Sequence, residues 1–173
     1  MTSAVCDSGP LTHLWQIKMW PVFGTFETLH VAEQVSLEVS GHLDLDRMTD
    51  LASCALHIHA VSEQEVELTQ RTFPLEVVLQ YPDWATLTLA RRLTPDLVLT
   101  DDLDLRRALE AQGQVPMGSV GLLLRAYKAG LLNTDALNRA IDALFVHSTL
   151  YLSPVFKSYV RRLIAKAIGK DEQ

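Results

Sequence analysis

Leu97-Val98-Leu99-Thr100-Asp101-Asp102 is an almost wholly apolar run that stops abruptly at two carboxylates. A short run of this kind, without polar alternation, is the pattern of a strand buried on both faces at the centre of a parallel sheet. The same order stands at the start of the chain. Ser3-Ala4-Val5-Cys6 stops at Asp7, and Ser8-Gly9-Pro10 then supplies the cap and turn chemistry that opens a helix, expected over roughly Leu11 to Lys18. Leu29-His30-Val31 reads as a second strand, and Ala55 to Val61 alternates like a third. Helical spacing is expected over Ala32–Ser40, Leu43–Leu51, Trp84–Leu93 with Asp83 in its first turn, and Leu103–Gln112. It continues over Ser119–Ala129 closed by Gly130, from the Asn133 cap through Phe145, and from Ser153-Pro154 to about Ile168. Ser62 to Tyr81 reads equally as a helical pair or as strands. Short strands separated by helices predict an α/β fold: a central parallel sheet covered on both faces, in three layers. Ligands of open α/β sheets bind outside the strands' C-terminal ends, so Asp7, Asp101 and Asp102 are expected to face one crevice.

At 173 residues the chain has the length of one compact domain, and 48% hydrophobic with 21% charged residues is ordinary globular composition. Cys6 and Cys54 lie in apolar surroundings without Cys-x-x-Cys spacing, which predicts buried, reduced thiols and no cysteine-based zinc site. Met1–Pro10 has no basic run before an apolar stretch, and no long apolar span follows, so a cytoplasmic protein is expected. The net charge of −6 argues against a broad basic surface for nucleic acid. Its distribution is uneven: residues 1–120 hold 7 Lys and Arg against 17 Asp and Glu, a net −10, whereas residues 121–173 hold 8 against 4, a net +4. An acidic body with a basic last quarter suits a metal-centred site beside a phosphate-binding surface. Lys157, Arg161, Arg162, Lys166 and Lys170 make that last helix the candidate contact; a solvated helix face explains them as well.

Four segments together resemble the motifs of PIN-domain nucleases. Val5-Cys6-Asp7-Ser8-Gly9-Pro10-Leu11 is similar to the opening motif, a strand ending in Asp followed by Ser or Thr and a helix start. Val31 to Val39 resembles the second motif, with Glu38 as its glutamate, and Pro82-Asp83-Trp84-Ala85 resembles the third, an acidic residue starting an alanine-rich helix. Leu97 to Arg107 resembles the fourth, and Gly118–Ala126 with Lys128–Leu131 is similar to a short prokaryotic subfamily of toxin-like members. The resemblance implies a single PIN-like domain over 1–173, with core motifs over about 5–130 and a basic helical extension over 131–173. It departs from the pattern at Asp83, where glutamate is common, at Gly9, where serine is frequent, and at Ser119, where threonine is frequent.

The resemblance further implies a metal-dependent endoribonuclease using Mg²⁺ or Mn²⁺, the toxin half of a toxin–antitoxin pair, with RNA as substrate, an antitoxin protein as partner and a homodimer as assembly. Asp7 would be the central metal ligand, Asp101 and Asp102 would add direct or water-mediated coordination, and Glu38 and Asp83 would bind a second ion or orient water. Ser8, Arg106 and Ser119 are the positions expected to touch substrate. The chemistry is consistent: phosphodiester hydrolysis needs an activated water and a sink for charge, which a carboxylate-held divalent ion supplies. Each residue also has a plainer explanation. Asp7 and Asp83 alone read as helix caps, Asp101-Asp102 as a helix-start pair, Glu38 as a solvated helix residue, and Arg106 as half of a surface ion pair. His13 reads as an ordinary helix residue. His57-Ile58-His59 puts two imidazoles on one strand face at a metal-binding spacing, but the sequence identifies no third ligand, so a solvated strand is expected.

The rival reading is a PIN-like binding module that keeps the fold and some carboxylates without turnover. An Asp-nucleophile phosphotransferase would want a second Asp at position 9, which is Gly, and no Gly-x-Gly-x-x-Gly follows a strand.

Overall fold

Between Thr2 and Asp171, the residues that the computed structural model describes, five short strands form one all-parallel sheet in the order β3-β2-β1-β4-β5. Its strands are β1 (Ser3–Cys6), β2 (Thr28–Ala32), β3 (Ala55–His59), β4 (Leu97–Leu99) and β5 (Pro116–Met117). Nine helices are described: α1 (Ser8–Gln16), α2 (Glu33–Val39), α3 (Leu45–Ala52), α4 (Glu63–Gln70), α5 (Tyr81–Leu93), α6 (Leu103–Ala111), α7 (Ser119–Lys128), α8 (Thr134–His147) and α9 (Pro154–Asp171). The α/β class with helices on both faces of a parallel sheet is therefore as the apolar runs predict. Ala4, Val5, Cys6, Val98 and Leu99 are fully buried, as central strands covered on both faces must be.

Chain order turns at β1. The chain moves from β1 outward through β2 to β3, then crosses to the other side for β4, so the switch in direction falls between β1 and β4, which pair with Val5 opposite Val98. The Asp7 amide extends this ladder by donating to the Leu99 carbonyl at 2.9 Å. That crevice above the strand ends is where such sheets bind ligands.

Several boundaries differ from expectation by two or three residues, among them β3, which stops at His59, and α5, which starts at Tyr81. Helix α1 begins at Ser8 rather than Leu11 because Asp7 is its cap residue, and Pro10 sits in the first turn, where no amide partner is required. The ambiguous stretch resolves into a single helix, α4, opened by a reciprocal Ser62–Glu65 capping box, followed by an irregular segment over residues 71–80. In that segment Leu75 is 98% exposed. Both cysteines are free and buried, as expected. Among the described residues no helix is long and apolar enough to cross a membrane.

Candidate metal centre

Asp7 leaves the end of β1 and Asp101-Asp102 the end of β4, the two strands at the switch in chain order. Glu38 comes from the last turn of α2 and Asp83 from the first turn of α5. The sheet and these helix ends bring all five into one crevice of about 520 Å³, with Ser8, Gly9 and His13 on its α1 side. Asp104, in the first turn of α6, joins them. The opposite walls are residues 78–80 and 149–151.

Asp7 is the innermost carboxylate, only 3% exposed. One of its oxygens, Oδ2, accepts a hydrogen bond from Thr100 Oγ1 at 3.1 Å, while Oδ1 is buried with no partner. Burial first, then repulsion from Asp83 and Glu38, push its carboxyl from 3.8 up to about 7, against the stabilising hydrogen bonds from the Ser8 backbone and Thr100. Asp83 is pushed up to about 6, first by burial and then by Asp102, Glu38 and Asp104, despite the Gln80 amide that donates to its Oδ2 at 3.0 Å. These carboxylates feel one another. Crowded anions with an orphaned buried oxygen among them are the surroundings that a hard divalent cation relieves, and an all-oxygen donor set suits Mg²⁺ or Mn²⁺. Among the described residues, no three acidic, thiol or imidazole groups are placed to hold a metal ion as they stand.

Asp102 faces the cluster electrostatically while Oδ1 caps α6 by accepting from the Leu105 amide at 2.7 Å. Its own amide donates to Thr100 Oγ1 at 3.1 Å, so Thr100 orients Asp7 and Asp102 at once. Asp101 also lines the crevice. Its Oδ1 accepts from the Ser119 amide at 2.7 Å, and its Oδ2 accepts from Ser119 Oγ at 2.6 Å and from His13 Nδ1 at 2.7 Å. Through both oxygens Asp101 fastens α1 and the start of α7 to the strand end.

Two expected substrate contacts move. Ser119 is fully buried and spends its hydroxyl on Asp101 rather than facing the crevice. Arg106 turns its guanidinium toward the Pro116 carbonyl at 3.3 Å, beside β5, and does not line the crevice. Ser8 does line it. Gly118 permits the Asp101 junction: a Cβ there would sit 2.9 Å from Asp101 Oδ1 and 3.3 Å from Arg106 Nη2. Thr100 and Asp104 are the crevice or positioning residues that the sequence reading left out, while His13, expected as an ordinary helix residue near Asp7, lines the crevice. Thr100 carried a signal, since a hydroxyl just before the strand-end carboxylates is placed to bond them.

Helix α9 buries Val160 and Ile164 and leaves Arg161, Arg162 and Lys166 exposed. Arg161 pairs with Asp142 at 2.9 Å, and Lys157 and Arg161 lie over the Phe145 ring at 5.4 and 5.5 Å. Arg162 and Lys166 are exposed; the Lys170 side chain lies outside the described residues.

The sequence pattern of one protein family, described as a PIN domain, matches residues 3–166. No curated protein and no solved structure matches the chain.

Proposed function

Because the chain belongs to the PIN-domain family, and PIN domains are generally nucleases, we propose that its acidic crevice is the active centre of a metal-dependent endoribonuclease acting on RNA phosphodiesters. The observation that carries this reading is Asp7: a 3% exposed carboxylate with one buried oxygen lacking any partner, its charge opposed by Asp83 and Glu38. A divalent cation, Mg²⁺ or Mn²⁺, would be held by Asp7 with Asp102 and Asp83, where it supplies an activated water and neutralises charge developing on the phosphate.

The chain's own residues do the rest. Thr100 fixes the Asp7 carboxylate through Oδ2 and leaves Oδ1 without a hydrogen-bond partner. Glu38, exposed on α2, is free to accept a proton from the attacking water. Asp101 holds His13 and Ser119, which fastens α1 and the start of α7 to the strand end beside the crevice. The outward basic residues of α9, Arg162 and Lys166, would meet RNA phosphates flanking the crevice. The toxin half of a toxin–antitoxin pair, inhibited by an antitoxin protein, and assembly as a homodimer in the cytoplasm remain parts of this proposal.

One observation favours the rival binding module: Asp83 spends an oxygen on the Gln80 amide and is one methylene shorter than glutamate, which limits its reach toward an ion. Cleavage of mixed RNAs in Mn²⁺, Mg²⁺ or EDTA separates the two. The nuclease reading expects Mn²⁺-dependent cleavage abolished by Asp7→Asn; RNA binding without metal-dependent cleavage assigns the crevice to a binding module.

A further inference from the structure

The two imidazoles of His57-Ile58-His59 gain a third from the neighbouring strand. In the parallel register of β2 and β3, His30 stands directly opposite His57. Register partners point to the same face of a sheet, and His59, two residues on, points there too. His30 Nδ1 and His59 Nε2 lie 2.9 Å apart and share a hydrogen bond. The ring centroids are 5.0 Å apart for His30–His59, 5.6 Å for His30–His57 and 6.3 Å for His57–His59.

We propose that His30, His57 and His59 bind one late transition-metal ion of the Zn²⁺ class, bridging β2 to the edge strand β3, at a site separate from the acidic crevice. Zinc–nitrogen bonds of roughly 2.0–2.1 Å put three imidazole centroids on one tetrahedral ion roughly 5 Å apart. One of the three separations already has that value, and the other two exceed it by an amount that ring rotation closes. Among the described residues no three such groups are placed to hold an ion as they stand, and the His30–His59 hydrogen bond draws two of the nitrogens together. That bond needs one neutral ring as acceptor, and an ion would take the place of the shared proton. His57 is exposed, which gives the ion an entry path and leaves the fourth position to water.

Imidazole donors select Zn²⁺, Cu²⁺ or Ni²⁺ over Mg²⁺, whereas the crevice offers oxygen alone. The test uses untagged full-length protein carrying Asp7→Asn, so that the crevice does not compete for metal. Zinc titration followed by calorimetry at pH 7.5 should give one ion per chain, and His57→Gln or His30→Gln should weaken binding at least tenfold. The same Asp7→Asn protein loaded with Co²⁺ should show the intense visible absorption of tetrahedral nitrogen ligation, and loaded with Cu²⁺ should show nitrogen hyperfine splitting. This spectroscopic arm holds even where a His30 variant fails to fold. Zinc affinity unchanged by His57→Gln, or spectra showing oxygen ligands alone, would overturn the site.

Discussion

Neutralising Asp7 should stabilise the metal-free protein above pH 7, by an amount set by its surroundings. The folded-state carboxyl is raised from 3.8 to about 7, so the native state holds this proton across a window in which the unfolded chain has released it. The stabilisation is complete below about pH 4 and is lost as pH rises through 7. A shift of about 3 units corresponds to about 4 kcal/mol at 1.36 kcal/mol per unit. That is a ceiling, because Asp83 shares the same repulsion and protonates in the same range. Asp7→Asn keeps the side chain's size and cannot ionise. The stability of variant minus wild type in EDTA should therefore climb between pH 4 and 8 by roughly 2–4 kcal/mol, or on the order of 5–12 °C in Tm for a chain of this size. Comparing the two proteins across pH cancels any constant loss at the Thr100 hydrogen bond. Added Mn²⁺ should then raise the wild-type Tm at pH 8 by mass action and leave the variant nearly unmoved. Parallel pH–stability curves for the two proteins would refute a strained, ion-seeking Asp7.

Thr100→Val removes the hydroxyl that bonds both Asp7 and the Asp102 amide; urea unfolding should show a loss of about 1–3 kcal/mol, and Mn²⁺ affinity should fall. Gly24→Ala would force a Cβ to 2.5 Å from the Ala52 carbonyl, a backbone atom that cannot swing aside; thermal melts should show destabilisation of at least about 1–3 kcal/mol. If α9 docks RNA, Arg161→Ala, Arg162→Ala and Lys166→Ala together should flatten the log affinity versus log salt slope by roughly 0.7 per lost phosphate contact on single strands. An unchanged slope would leave α9 a solvated face.

The strands that carry Asp7 and Asp102 were legible because an apolar run ending in a carboxylate is a local pattern. What escaped was nonlocal. Nothing in Asp101-Asp102 reveals that Ser119 and His13, 18 and 88 residues away, occupy both oxygens of Asp101. The third imidazole, His30, becomes a neighbour of His57 only through the β2–β3 register, and register belongs to the sheet rather than to either strand. The stretch after Val61 is a different case. Ser62-Glu63-Gln64-Glu65 displays the capping box that opens α4, so a helix signal was present in a stretch that otherwise reads equally as helices or strands. Leu75 to Leu79 reads as apolar as a strand yet pairs with no strand of the described sheet, and its last two residues, Val78 and Leu79, border the crevice instead.

Residues 149–151, which wall the crevice, are tied to α1 through Gln16 Oε1, which accepts from both the Thr149 amide at 2.8 Å and its hydroxyl at 3.1 Å. Every candidate ligand lies between positions 7 and 104, whereas this wall and the Ser119 anchor of Asp101 come later in the chain. Synthesis runs in that order. A polypeptide still on the ribosome acquires its full set of carboxylates well before the parts that shape and steady them. The open cluster of a nascent chain lacks this second wall until residue 151 has cleared the exit tunnel, so the site is completed only after all its ligands have been made.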